Sequence, residues 1–220
     1  MPKMDKITEI KEWHKETLAH KVIDSLEKNN IPAFYVKTKE EAREKILSLI
    51  PMGSKVGFGG SVSLNQIGVK DALRTGNYHL IDRDKPGLTE EEINELRKES
   101  LLADVFLMST NALTIDGKLV NIDGVGNRVA ALVFGPSKVI IVAGINKIVP
   151  DLEAAMWRIK NYAAPMNARR LERLLPCAQT GKCVDCRAPT RFCNAVVTIE
   201  HQYQNDNRII VIIVGEELGL

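Results

Sequence analysis

The sequence predicts an α/β fold, a mainly parallel β-sheet with helices on both faces. Three observations carry this expectation. Helix-like and strand-like segments alternate from residue 5 to about residue 110, as connections between parallel strands require. The segment Val139–Gly144, VIIVAG, is apolar throughout, as a strand covered on both faces should be. The alternation breaks once, where NALTI, Asp116-Gly117 and KLVNI read as a hairpin with a tight Asp-Gly turn.

Residues 5–29 carry Ile7, Ile10, Leu18, Val22, Ile23 and Leu26 at helical spacing among Lys and Glu. Asn29 and Asn30 stop this helix, and Pro32 precedes the strand AFYVK. Thr38 caps a helix running to about Ile50, with Glu41 three residues on as the partner of a capping box. Pro51 and Gly53 turn the chain into the strand KVGFGG. A helix is expected over 64–74, ended by Gly76-Asn77, and then the strand YHLID. Thr89, with Glu92, caps a helix through about Leu102, and the strand DVFLMST follows. After the hairpin come a short helix over 127–134 and the strand KVIIVAG. Helices over 151–163 and 165–175 precede a cysteine-rich stretch. Two strands, NAVVTIE and RIIVIIV, joined by polar QYQNDN, close the chain. The divisions expected are an N-terminal helical segment, 1–30, an α/β core, 31–176, and a segment 177–220 that completes the same domain. The N-terminal helix is suited to pack on its own sheet or on a second copy of the chain.

The 220 residues are 45% hydrophobic and 26% charged, enough for a substantial core. A net charge of +2 gives no bulk attraction to nucleic acid. No apolar run is long enough to span a membrane, and MPKMDKITEIKEWHKE has no signal-peptide core. A cytoplasmic location is expected.

All four cysteines fall in one stretch, Cys177, Cys183, Cys186 and Cys193, spaced C-x5-C-x2-C-x6-C. Thiolates are soft ligands, and a C-x2-C turn aims two sulfurs at one point. A zinc ion or a [4Fe–4S] cluster is one occupant the spacing allows. Disulfides and four free thiols are the alternatives, and a reducing compartment disfavours the disulfides. Lys182, Arg187 and Arg191 lie among the sulfurs, where positive charge lowers thiol pKa values.

In parallel sheets ligands bind beyond the carboxyl ends of the strands, so three loops are candidates. The first carries Gly59, Gly60, Ser61 and Ser63 between a strand and a helix, where backbone can approach an anion; a tight turn with a serine cap is the plain alternative. The second runs from Ser109 to Arg128 with Asn111, Thr114, Asn121, Asp123, Gly124, Asn127 and Arg128. There Asp123 is a candidate base and Arg128 a candidate clamp for a carboxylate or phosphate, against turn-forming and surface roles. Asp116 reads as a turn residue. The third, Gly144, Asn146 and Lys147, follows the apolar strand; Lys147 is placed to meet an anion or else to be solvated. His14, His20, His79 and His201 pair with nothing recognisable, and Trp13 and Trp157 read as packing residues.

The arrangement NALT-x-DG-x-LVN-x-DG-x-GNR-x-A, followed by V-x-x-GPSKVIIVAG-x-NKIV, together with the upstream GFGGS, resembles the LUD-domain proteins, the LutC/YkgG-type lactate utilisation family. The resemblance runs from about residue 10 to the end and is most specific over 109–150. It implies a Rossmann-like core with an inserted hairpin, of the NagB/RpiA/CoA-transferase-like superfamily, whose sugar-phosphate isomerases, CoA transferases and cyclo-ligase handle anionic ligands at strand ends. It also implies a role beside iron–sulfur partner subunits in the oxidation of L-lactate. The lactate subunit does not typically end in four cysteines, and this chain resembles a branch that does. Three functions follow as expectations. One is a small-anion-binding protein of organic-acid oxidation or electron transfer. Another is a non-catalytic assembly subunit of a redox complex. The third is a sugar-phosphate isomerase or transferase, although no clear Glu stands in the loops for CoA transfer.

Overall fold

In the computed structural model, residues 5–203 and 207–220 are described. Residues 1–4 of the expected N-terminal segment and 204–206 of the QYQNDN connection lie outside them.

Helix α1, Lys6–Lys28, opens the chain; the Asp5 side chain accepts from the Ile7 backbone N–H and caps it. Strand β1, Ala33–Val36, follows, then α2, Lys39–Ser48. Thr38 caps α2 by accepting from Glu41 N–H, but the Glu41 carboxylate reaches one residue further back than a capping box, to the Lys37 N–H at 2.7 Å. Strand β2 is Lys55–Phe58. The single helix expected over 64–74 is two, α3, Val62–Ile67, and α4, Val69–Thr75, broken at Gly68 with φ +72°. Strand β3 shrinks to His79–Leu80. Helix α5, Glu90–Glu99, starts with a full Thr89–Glu92 capping box and ends in one 3-10 turn. Strand β4, Val105–Ser109, is buried throughout.

The hairpin is β5, Ala112–Thr114, and β6, Leu119–Asp123, joined through Gly117 at φ +82°. Helix α6 is Asn127–Val133 and β7 is Lys138–Gly144. A further two-residue strand, β8, Ile148–Val149, is too short to leave a sequence signal. Helices α7, Leu152–Arg158, and α8, Ala164–Arg170, are one continuous rod through a π turn at Ile159–Ala163, where a break was expected. Pro165 has no N–H to give, and a widened turn just before it absorbs that loss. The rod ends at Leu171 rather than about 175, with Glu172 in the left-handed region. Helix α9, Pro176–Thr180, and the strands β9, Ala195–Ile199, and β10, Ile209–Val214, complete the chain.

Six strands form one parallel sheet in the order β1-β10-β7-β4-β2-β3. Side chains alternate across it, so β7 gives Val139, Ile141 and Ala143 to one face and Ile140 and Val142 to the other. The first face packs under α1, α6 and the hairpin, through Ala19, Val22, Leu26, Leu132, Leu113 and Leu119. The second packs under α2, α3 and α4, through Ala42, Ile46, Leu64, Ile67 and Leu73. Helices therefore cover both faces, as the apolar β7 requires. A second sheet, β8-β5-β6-β9, packs Ala112, Val120 and Val149 on Ala155 and Ile159 of the α7 rod. Helix α1 buries its second half on its own core, while Ile7, Ile10 and Trp13 of the first half are exposed.

Candidate functional site

The carboxyl ends of β2, β4 and β7 open toward the hairpin sheet, and the gap is a cavity of about 590 Å³. Six arginines (Arg83, Arg97, Arg128, Arg170, Arg173 and Arg191) and Lys147 line it against one acidic side chain, Asp123. Of the residues expected from the loops, Gly60, Ser61, Ser63, Asn111, Asp123, Gly124, Asn127, Arg128 and Lys147 all reach its wall.

Arg128 stands on α6, and its guanidinium points back under the hairpin, where it is 9% exposed. Each of its five N–H groups has an acceptor in the protein. Nε donates to Asp123 Oδ1 at 3.1 Å, one terminal nitrogen to Ser109 O and Asn121 Oδ1, and the other to Asn111 Oδ1 and Ile122 O. Asp123 is held in turn by the Gly126 N–H at 2.9 Å. Burial pushes the Arg128 pKa down, the Asp123 charge opposes this, and the guanidinium stays protonated. A surface role for Arg128 is excluded, and its donors are spent on locking β4, β6 and α6 together.

Lys147, in the 3-10 turn after β7, is also buried, at 4% exposure, so a solvated lysine is excluded as well. Its Nζ lies 2.8 Å from Ser109 Oγ, 3.1 Å from Ser63 Oγ and 3.2 Å from Thr110 O. Desolvation, then the charges of Arg158 and Arg128, bring its pKa down to about 7. Arg158, on α7, is equally enclosed; it donates to Asn146 O, Asn111 O and Leu220 O, and its second terminal nitrogen is buried with no partner among the described residues.

The rim is different. Arg97 on α5 and Arg173 after α8 make no side-chain hydrogen bond or ion pair among the described residues, and Arg97 Nε is buried without an acceptor. Among the described residues the Arg83 side chain hydrogen-bonds only the Asn127 amide, at 3.3 Å when that amide is turned with its oxygen inward. Gly60 lets Arg83 lie close, since a Cβ there would stand 2.9 Å from its terminal nitrogen. The π turn puts Ile159 and Ala163 against the cavity and supplies its apolar wall.

Five expected residues hold structure and do not line the cavity. The Thr114 hydroxyl bonds Asp116 Oδ1 and accepts the Lys118 N–H, fastening the hairpin turn in which Asp116 sits as expected. Asn121 is fully buried and orients Arg128 and the Asn111 backbone. A Cβ on Gly59 would press on Arg128, and one on Gly144 would meet Leu218 N at 2.5 Å. Asn146 bridges that same Leu218, accepting its N–H at 3.0 Å. The first loop is also a capped turn, because the Ser61 hydroxyl accepts from Leu64 N–H. Arg83, Arg97 and Arg173 carry no sequence signal, because they lie on or beside surface-like charged segments; Ser109 and Thr110 stand at the end of a strand and the start of the second loop, with nothing local to single them out.

The cysteine stretch folds over the cavity mouth. Phe192 packs against Gly124, and Thr190, Arg191 and Cys193 join the lining; Cys177, Cys183 and Cys186 do not. Arg191 ties the loop by donating to Cys186 O and Cys193 O, and the Asp185 N–H donates to Cys183 Sγ at 3.3 Å. That N–H···S contact across a C-x2-C turn is the shape of a metal-binding knuckle. All four cysteines are free thiols. Desolvation raises the Cys177 and Cys193 pKa values, and the charges of the other cysteines raise them further, so the four sulfurs sense one another. The donor set therefore fits a tetrathiolate ligand set, but among the described residues no three ligand atoms already converge on a metal position.

Among the described residues no helix is long and apolar enough to cross a membrane. No curated protein matches the chain. A DUF162 family protein from Deinococcus radiodurans is similar in structure at 14% identity and a TM-score of 0.49, over 91% of this chain and 98% of that one. Ribose 5 phosphate isomerase A from Neisseria gonorrhoeae is similar at 16% identity and a TM-score of 0.33, over 52% of this chain and 54% of that one. Neither likeness is close enough to bring a function to this chain. The family model for the LUD domain matches residues 19–214, across both sheets and the cavity between them, and the chain belongs to the LUD-domain family.

Proposed function

We propose that the chain binds a small metabolite carrying carboxylate or phosphate groups in the cavity at the strand ends, and serves organic-acid oxidation or electron transfer in the cytoplasm. One observation carries this: Arg97 and Arg173 line the cavity without an acceptor among the described residues, and Arg83 has only an amide. Arg97 and Arg83 are half-buried and Arg173 is exposed at the mouth, and a partly desolvated guanidinium such as Arg97, with its Nε buried and unpartnered, invites an anion because burial without an acceptor is costly. Arg128 and Lys147 act differently from the rim. Arg128 sets the shape of the site, Asp123 holds Arg128, and the rim arginines take the anion.

The four cysteines are proposed as ligands for zinc or a [4Fe–4S] cluster, with redox partner subunits as the source or sink of electrons when the cluster is present. Four neighbouring thiolates repel, and a bound cation removes that repulsion. Cys193 lines the cavity, which favours coupling between ligand and metal over a remote staple.

Calorimetric titration with inorganic phosphate and with L-lactate tests the anion site. Replacing Arg97 by Met is expected to weaken binding about 10- to 150-fold, the worth of a charged hydrogen bond of about 1.5–3 kcal/mol. Equal affinity in the variant, or no binding of either anion, would reject the site. The second reading, a non-catalytic assembly subunit, is favoured by the exposed Ile7, Ile10 and Trp13 of α1. Purification only as part of a complex, with no anion bound by the free chain, would support it.

A further inference from the structure

Beneath the rim arginines, three side chains form a cluster that anion binding does not use. Ser63, at the start of α3, Ser109, at the end of β4, and Lys147, after β7, come from three separate elements and meet at the cavity floor. The two hydroxyls are 3.4 Å apart, and both touch Lys147 Nζ. All three residues are under 10% exposed, yet all three line the cavity.

The geometry around Nζ fixes what this lysine can do. A tetrahedral amine has four directions. Cε takes one, and Ser63 Oγ, Ser109 Oγ and Thr110 O take the other three. The direction toward Ser109 Oγ opens only when that oxygen bonds to an acyl carbon, so Lys147 can exchange a proton there but is badly placed to form an imine. Thr110 O is a carbonyl and can only accept, so it takes an N–H. When the amine is neutral its lone pair must therefore face a serine hydroxyl. Ser109 is the nearer of the two, at 2.8 Å, which is the separation of a nucleophile from its base.

We propose that Ser109 and Lys147 form a serine–lysine dyad for acyl transfer, with Ser109 as nucleophile, Lys147 as general base, and Ser63 as a second hydroxyl that orients the amine. The substrate class is an ester or thioester on a molecule whose anionic group the rim arginines hold. In the forward step the Ser109 Oγ–H proton passes to Lys147 Nζ as the Oγ–carbon bond forms. The bond from the acyl carbon to the alcohol or thiol then breaks, and the leaving group takes the proton from Lys147. Water next attacks the acyl-serine and gives a proton to Lys147. The acid product leaves, and that proton returns to Ser109. Nothing is oxidised or reduced.

Charge around the dyad suits this role. Arg158 on α7 and Arg128 on α6 face Lys147, Asp123 is already committed to Arg128, and no acidic side chain among the described residues meets the amine. Burial and those two cations bring the lysine to about 7, where a base can both accept and return a proton. The dyad stands on the three-residue geometry; the choice of an anionic substrate rests on the anion site proposed above.

A fluorophosphonate, which phosphonylates a hydroxyl activated by a neighbouring base and loses fluoride, is the probe. The full chain is expected to carry the label on Ser109, located by mass spectrometry of the digest, at a rate that rises with pH through about 7. Replacing Lys147 by Met should slow labelling at least 100-fold, within the usual contribution of a general base. No adduct at Ser109, or an undiminished rate in folded Lys147→Met, overturns the proposal. If Lys147→Met fails to fold, Ser109→Cys decides instead. Alkylation of that thiol with an apparent pKa well below the ordinary 8.5 supports the dyad, and an ordinary value overturns it. Phosphate binding without labelling would keep the anion site and sink the dyad; labelling without phosphate binding would do the reverse.

Discussion

Replacing Arg128 tests the central joint of the site. The substitution Arg128→Met keeps the alkyl stem and removes the guanidinium. Five hydrogen bonds go, four of them to backbone or amide oxygens under the hairpin, and Asp123 loses its cation. The five bonds do not add, since they share one group. The dominant cost is the carboxylate left unpaired at a largely buried position, about 3–5 kcal/mol for breaking such a pair. Against a total stability of about 5–15 kcal/mol the variant should fold, but marginally. Urea unfolding followed by circular dichroism would show the midpoint falling with the slope unchanged. The double variant Arg128→Met/Asp123→Asn should recover part of the loss, because it no longer strands a charge. Arg128→Lys should lose about 1–3 kcal/mol, keeping the charge but not the fork. A loss below about 1 kcal/mol in Arg128→Met, or a double variant no better than the single, would refute the account of Arg128 as the clamp joining β4, β6 and α6.

Lys147 links stability to pH. Its native pKa of about 7 lies below the ordinary 10.5, so between those values the unfolded chain holds a proton the native chain has shed. Stability from this group therefore rises with pH across that window, and below about 7 its burial cost is constant. The stability difference between the wild type and Lys147→Met should shift in favour of the wild type from pH 7 to 10; a flat difference would contradict the depressed value. Gly117→Ala should cost about 1–3 kcal/mol in the same urea assay, since φ is +82° and a Cβ would meet the α1 backbone at Ser25 and Leu26 within 2.9 Å. Wild-type stability there would show that α1 gives way. Gly60→Ala should fold normally but bind phosphate several-fold more weakly by calorimetry, because its Cβ displaces only the flexible end of Arg83. Anaerobic purification with zinc, iron and acid-labile sulfide analysis should find one metal site per chain, lost in Cys183→Ser; four titratable thiols and no metal would end the metal proposal.

Sequence patterning made the scaffold legible where a single period dominated. The all-apolar β7, the capped α2 and α5, and the Asp116-Gly117 hairpin each carry a local signal that tertiary packing reinforces. Legibility failed where the decisive contact is remote. Gly68 splits a helix whose polarity pattern is unbroken, and β8 exists only because β5 offers it an edge. The same division runs through the site. Asp123, Arg128 and Lys147 stand in a loop-rich stretch of polar residues and glycines and could be picked out. Their division of labour could not, because the five acceptors of Arg128 lie 5 to 19 residues away and the hydroxyl partners of Lys147 lie 38 and 84 residues away. Arg83 and Arg97 look like any surface arginine until α5 and the loop after β3 are folded against the glycine loop.

The placement of β10 bears on how the chain is made. This strand comes last in sequence yet lies second in the sheet, hydrogen-bonded to β1 on one side and β7 on the other. During synthesis β1 thus waits beside no partner until residues 209–214 clear the ribosome, while β7 presents an unpaired apolar edge. Strands β2, β3, β4 and β7 can pair with one another before β10 emerges, so only the β1 side of the large sheet has to wait for residues 209–214. A ribosome that stalls in the cysteine stretch would leave a sheet with a gap in it, not a smaller working domain.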